Sequence, residues 1–168
     1  MIDPMYPILW FLGIAITVLA GKISPELVSL NIKAVFRFTK LLALAFLIKF
    51  VGHFVTKAPM AGPELEMPGV AFLLFAFWED AVFTLPILLA EKFLNIRKPF
   101  IYGMIAISSV SFALCHLYQG LLVAALTLLY VPITRRFSGY FGIKTVMVCH
   151  VLFDVSSYLL IQLSSRVM

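Results

Sequence analysis

Long apolar runs, separated by short stretches rich in charge, proline and glycine, constrain this chain more than any other feature. A helix needs about 20 apolar residues to cross a bilayer, and several runs approach that length. With Pro, Gly and charged residues as boundaries, the runs predict helices over 5–20, 35–56, 68–90, 100–117, 121–133 and 143–163. The predicted fold is an all-α, polytopic transmembrane helical bundle of about six helices.

The composition agrees with a chain that lies mostly inside a bilayer. Of its 168 residues, 62% are hydrophobic and 12% are charged, whereas soluble domains contain about 45–50% apolar residues. We therefore expect residues 1–168 to form a single integral membrane domain, with the lipid bilayer as its main partner. The end of the first run, Val18-Leu19-Ala20, is compatible with a signal-peptidase site, but Asp3 and the lack of a basic residue before it favour a first span.

The net charge of +5 would suggest a nucleic-acid partner in a soluble protein, but here the basic residues cluster at the ends of apolar runs. This pattern reflects topology, so no nucleic-acid partner is expected. The alternate loops one, three and five hold most of the lysine and arginine: Lys22, Lys33, Arg37, Lys40, Lys92, Arg97, Lys98, Arg135, Arg136 and Lys144. The positive-inside rule predicts that these loops are cytoplasmic and that both termini lie on the outer side.

Ionisable side chains inside apolar runs are costly in a bilayer, so each is a candidate for function. They are Lys49, His53, Glu79, Asp80, His116, His150 and Asp154. Snorkelling to the membrane surface would explain Lys49 and His53, but not the other five. Cys115 and Cys149 each precede a histidine and point about 100° away from it on a helix, so we interpret both as packing residues.

The spacing of these residues predicts that they meet. His150 and Asp154 share one helix face, and Phe112 and His116 share another. Glu79 lies about 18 Å along its helix from the outer surface, and His150 reaches a similar depth from the other side. The short hairpin of the fourth and fifth helices predicts that the turn 118–120 lies within the membrane, in a polar cavity.

A carboxylate and two imidazoles around a wet cavity favour hydrolysis, because the carboxylate can take a proton from water while the imidazoles hold a metal ion or the reacting oxygens. A small proton-coupled carrier uses the same residue types as a relay. The residues alone leave both alternatives open.

Three segments in order carry a family resemblance: FWEDAVFT at 77–84, FALCH at 112–116 and HVLFD at 150–154. They resemble the Glu-Glu-x-x-x-Arg, Phe-x-x-x-His and His-x-x-x-Asn motifs of the CAAX protease and bacteriocin-processing (CPBP, ABI) family of intramembrane endopeptidases. The resemblance covers about residues 72–160. It implies an enzyme that hydrolyses a peptide bond in a membrane-associated peptide or protein.

The resemblance also implies roles for individual residues. Glu79 and His116 would activate water, and His150 with Asp154 would stabilise the oxyanion, supported by Phe112. Whether Glu79, His116 and His150 hold a Zn²⁺ ion or act without metal is left open, since the electrostatic task is the same in both cases.

Three positions depart from the family pattern. Thr84 stands in place of Arg, Asp154 in place of Asn, and Asp80 in place of the second Glu. Because a hydroxyl cannot neutralise a carboxylate, we predict that Lys49 contacts Asp80 instead. The departures also allow an inactive family member that acts as a membrane binding or assembly subunit.

Overall fold

A computed structural model describes residues 5–37, 43, 47, 51, 69–94, 96–117 and 120–164. Its regular elements are all helical within these ranges, in agreement with the predicted all-α class. The α-helices are α1 (Met5–Ile23), α2 (Gly69–Phe93), α3 (Lys98–Cys115), α4 (Leu121–Thr127), α5 (Tyr130–Phe141) and α6 (Ile143–Ser164). A 3-10 helix, Pro25–Val28, follows α1, and residues 32–37 are also helical.

Four predicted helices agree with α1, α2, α3 and α6 to within a few residues. The predicted helix over 35–56 lies largely outside the described residues. The predicted end of the fifth helix at residue 133 is wrong, because helical structure continues to Phe141. Arg135 and Arg136, which we placed in a loop, therefore lie within α5.

The boundary between α4 and α5 has a local cause in Pro132. Proline has no N–H, so it cannot donate to the carbonyl four residues earlier, that of Leu128. Leu128 and Leu129 form a turn with αR dihedral angles, and Leu129 N–H donates to Leu126 O at 3.1 Å. The helix resumes at Tyr130, which fixes the position of this residue at the first turn of α5.

Helix α2 occupies the centre of the fold. One side packs against α1, the 3-10 helix and α6, where Ala81 and Leu85 are fully buried. Another side packs against α3 and α5 through Ile87 and Ala90. At Gly13 the helices α1 and α2 approach so closely that a Cβ atom would lie 2.8 Å from Trp78 Cβ. A central helix of this kind buries polar residues on more than one of its faces.

Ion pairs and hydrogen bonds join the connecting segments at one end of the bundle. Lys92, at the end of α2, pairs with Glu26 and donates to Ser24 Oγ at 2.7 Å. Next to it, Arg135 Nε donates to Glu91 Oε2 at 3.0 Å. These contacts bring predicted loops one, three and five to the same end.

Two segments are long and apolar enough to cross a membrane by length and composition: Lys98–Cys115, and Leu121–Phe141, which contains α4 and α5. A shorter apolar stretch covers Phe11–Ile23. Large apolar side chains lie exposed on α1, α3 and α4, including Phe11 at 75%, Ile107 at 71% and Leu121 at 78% exposure.

Candidate active site

Two adjacent carboxylates lie buried in the middle of α2. Asp80 has no solvent exposure and Glu79 is 8% exposed. Neighbouring residues on a helix point about 100° apart, and both are covered because α2 is surrounded on several sides.

Asp80 is held by two side chains from different helices. Tyr130 of α5 donates its hydroxyl proton to Asp80 Oδ1 at 2.9 Å. His150 of α6 places Nδ1 at 3.1 Å from Asp80 Oδ2. Each carboxylate oxygen therefore has a partner, which a polar group without solvent contact requires.

The His150 imidazole lies between two aspartates. Its Nδ1 faces Asp80, and its Nε2 lies 3.5 Å from Asp154 Oδ2, one helical turn further along α6. The Nδ1 contact lies within hydrogen-bond distance, whereas the Nε2 contact is the longer distance of an ion pair.

His116 caps the C-terminal end of α3. Its Nδ1 lies 2.9 Å from the Phe112 carbonyl oxygen, which can only accept, so Nδ1 carries a proton. In the neutral ring Nε2 is then the basic nitrogen. Its ring also packs on the Phe112 ring, with centroids 4.5 Å apart.

A chain of rings connects the two histidines. Phe112 stacks on Tyr130 with centroids 4.7 Å apart and an interplanar angle of 9°. Tyr130 in turn lies 5.2 Å from the His150 ring. Glu79 lies within electrostatic range of Tyr130, His150 and Cys115. The three sequence segments thus meet around Tyr130.

The remaining predicted residues have different outcomes. Thr84 is fully buried and its Oγ1 lies 3.1 Å from Thr134 Oγ1, so it joins α2 to α5. Lys49 and His53 lie outside the described residues, as do the first two positions of the turn 118–120. Cys149 is buried as predicted, whereas the prediction of a packing role for Cys115 is wrong because Cys115 is exposed.

Tyr130 was not predicted to take part in the site. Tyr130 and Thr127 carry the hydroxyl groups in the otherwise apolar stretch from Leu121 to Val131. A buried tyrosine hydroxyl usually finds a hydrogen-bond partner. That rule was the available signal, but it could not identify Asp80 as the partner.

Glu79, His116 and His150, which would hold a Zn²⁺ ion if the reaction used one, are not arranged around a common point. Among the described residues, no group of three or more His, Cys, Asp and Glu side chains is placed to hold a metal ion. Both ring nitrogens of His150 face aspartate oxygens. As arranged, His150 does not fit as a ligand shared with His116 and Glu79.

Comparison of the chain with protein-family models, curated proteins and solved structures found no match.

Proposed function

We propose that this chain is a multi-pass membrane protein that hydrolyses a peptide bond of a membrane-associated peptide or protein. The membrane assignment is supported by the two candidate spans and by the large exposed apolar side chains, since extended apolar surfaces mark contacts with lipid or protein. The orientation with cytoplasmic basic loops is supported by the gathering of loops one, three and five at one end.

The observation that carries the hydrolase proposal is the contact of His150 with Asp80 at 3.1 Å, 70 positions apart in the chain. It joins the segment that carries Glu79 to the segment that carries Asp154. The Phe112 and Tyr130 rings bring the remaining segment, 112–116 with His116, to the same place. A purely structural bundle has little need to bury two carboxylates and an imidazole together, because desolvating charges is expensive.

The proposed chemistry begins at Glu79. Its carboxylate takes a proton from water, assisted by Nε2 of His116, and the water attacks the scissile carbonyl carbon. The oxygen of that carbonyl becomes an oxyanion, and the Nε2–H group of His150 is the proposed donor to it. Asp80 holds Nδ1 and so orients the ring, as the aspartate does in other catalytic triads. Collapse of the tetrahedral intermediate then breaks the C–N bond, and the proton that Glu79 took from water passes to the leaving amine. No step is assigned to a metal ion.

Asp154 has a special place in this proposal. Its oxygen lies 3.5 Å from His150 Nε2, where the oxyanion would form. An ionised aspartate would repel the oxyanion, whereas a protonated one would donate to it. The proposal therefore requires Asp154 to carry a proton of its own during the reaction, in addition to the proton on His150 Nε2.

The experiment uses purified protein in proteoliposomes, a library of membrane-inserting peptides and mass spectrometry of the products. We expect cleavage by the wild type and a loss of about 10²- to 10⁴-fold in Glu79→Gln, the range for removal of a general base. Glu26→Gln, the same change at an exposed glutamate outside the site, is the control and should keep full activity. Equal cleavage by Glu79→Gln would overturn the proposal.

The Asp80–His150–Asp154 chain also favours a second candidate, a proton-coupled carrier, because it aligns three titratable groups. Vesicles that show proton-coupled flux and no peptide product would support the carrier. A protein that shows neither peptide cleavage nor proton-coupled flux would instead support an inactive binding or assembly subunit.

A further inference from the structure

We infer that Tyr130 is a positioning residue of the proposed reaction, and that its hydroxyl group holds Asp80 in the orientation that aligns His150. The inference rests on the proposed function for its kinetic consequence, but its structural consequence is independent of any activity. It assigns a purpose to a residue that lies outside all three sequence segments.

The hydrogen-bond geometry supports this role. The Asp80 carboxylate has two oxygens, of which Oδ1 accepts from Tyr130 and Oδ2 faces His150 Nδ1. The carboxyl plane is therefore fixed from both sides. With no solvent at Asp80, water cannot replace the tyrosine donor, and a carboxylate that has lost it must rotate or change its protonation. Either response alters the contact with His150.

The tyrosine ring makes a separate set of contacts. It stacks on Phe112 and lies beside His150, so Tyr130 contacts side chains of α2, α3 and α6. Its position at the start of α5 follows from the helix interruption at Leu128 and Leu129. A phenylalanine could maintain the ring contacts, but it has no donor for Asp80. Tyr130→Phe thus removes the hydrogen bond to Asp80 and keeps the ring packing.

The kinetic test compares Tyr130→Phe with Tyr140→Phe. Tyr140 lies on the same helix but is 74% exposed, so its variant is a matched control. A hydrogen bond to a charged group corresponds to about a 10- to 100-fold effect on rate. We expect kcat of Tyr130→Phe to fall by about that factor, with KM changed less than about threefold, and Tyr140→Phe to match the wild type.

The structural test uses protein labelled with ¹⁵N in its histidines and nuclear magnetic resonance in detergent micelles. Tyr130→Phe should shift the ring-nitrogen signals of His150, while Tyr140→Phe should not. If Tyr130→Phe does not fold, a second experiment uses protein labelled with ¹³C at the tyrosine Cζ atoms. The Tyr130 signal should then differ between the wild type and Asp80→Asn.

The outcomes separate the inference from the proposed function. If the wild type cleaves no peptide, the proposed function fails, and shifted His150 signals still support the positioning role. Unchanged His150 signals in folded Tyr130→Phe would overturn the inference, as would a wild-type kcat in that variant when the wild type is active. An unchanged Tyr130 signal in Asp80→Asn would overturn it equally.

Discussion

The Nδ1 atom of His150 lies 3.1 Å from Oδ2 of Asp80, and this contact joins the first and third of the three sequence segments. Both side chains are buried, with 9% and 0% exposure. Such a pair is costly to break, since removal of one partner leaves a polar atom of the other, Asp80 Oδ2 or His150 Nδ1, buried without the partner of this contact. The stability of the bundle and the alignment of the site therefore depend on the same atoms.

Asp80 provides the first prediction. A double-mutant cycle with Asp80→Asn and Tyr130→Phe should give a coupling of about 1–3 kcal/mol in the free energy of unfolding, because the two side chains share a hydrogen bond. Thermal or denaturant unfolding in detergent provides the measurement. Strictly additive losses would contradict the contact.

The predicted contact between Lys49 and Asp80 is tested by a separate double-mutant cycle, because Lys49 lies outside the described residues. If the contact exists, Lys49→Met and Asp80→Asn should each cost about 3–5 kcal/mol, and both together much less than their sum. Additive losses would show that Lys49 has another role. Tyr130 and His150 would then be the partners of Asp80 among the described residues.

Asp154→Asn should preserve or raise the rate of peptide cleavage. The amide offers an N–H donor beside His150 Nε2 whatever the protonation state, whereas the carboxylate donates only when protonated. Rates are compared with the wild type across a range of pH. A large loss of activity would mean that Asp154 is required as a carboxylate.

Gly142→Ala should strongly lower stability. Gly142 has φ of 82°, and a Cβ atom there would lie 2.2 Å from the Ser29 carbonyl oxygen. The left-handed conformation alone costs about 1–2 kcal/mol for an alanine, and the clash adds to it. Gly103→Ala, at an exposed helical glycine with open space around it, is the control and should gain about 0.5–1 kcal/mol. Equal unfolding temperatures for the two variants would contradict the packing at Ser29.

Much of the fold could be predicted from hydropathy, because apolar runs bounded by proline, glycine and charge have few alternatives. The meeting of His150 with α2 could also be predicted, since a carboxylate and an imidazole within apolar helices stabilise each other when paired. What hydropathy could not supply was the partner of each charged residue. We placed Arg135 in a loop because it is charged. It lies in a helix instead, where its charge is paired with Glu91 of a neighbouring helix.

The role of Tyr130 could not be predicted from the sequence either. Its role depends on the helix interruption before Pro132 and on the distance to Asp80, 50 positions earlier in the chain. Neither is a periodic feature of the sequence. The pairing of Thr84 with Thr134 was missed for the same reason, because a threonine in an apolar helix indicates a hydrogen bond but does not identify its partner.

Whether peptide cleavage depends on a metal ion can be tested directly. Because both nitrogens of His150 face aspartates, we expect peptide cleavage to persist in protein treated with a chelator and shown by elemental analysis to lack zinc. Near-stoichiometric zinc that falls in His116→Ala or His150→Ala would instead show that the histidines hold a metal ion, with rearrangement of His150.

The central claim is that Glu79, His116 and His150 act together in one hydrolytic site. The most direct measurement is the rate of peptide cleavage in proteoliposomes by Glu79→Ala, His116→Ala, His150→Ala and the triple variant, each shown to be folded. Residues that act as a unit give non-additive losses, so each single variant should lose nearly all activity and the triple variant should lie within about tenfold of the singles. Full activity in folded Glu79→Ala would contradict the account.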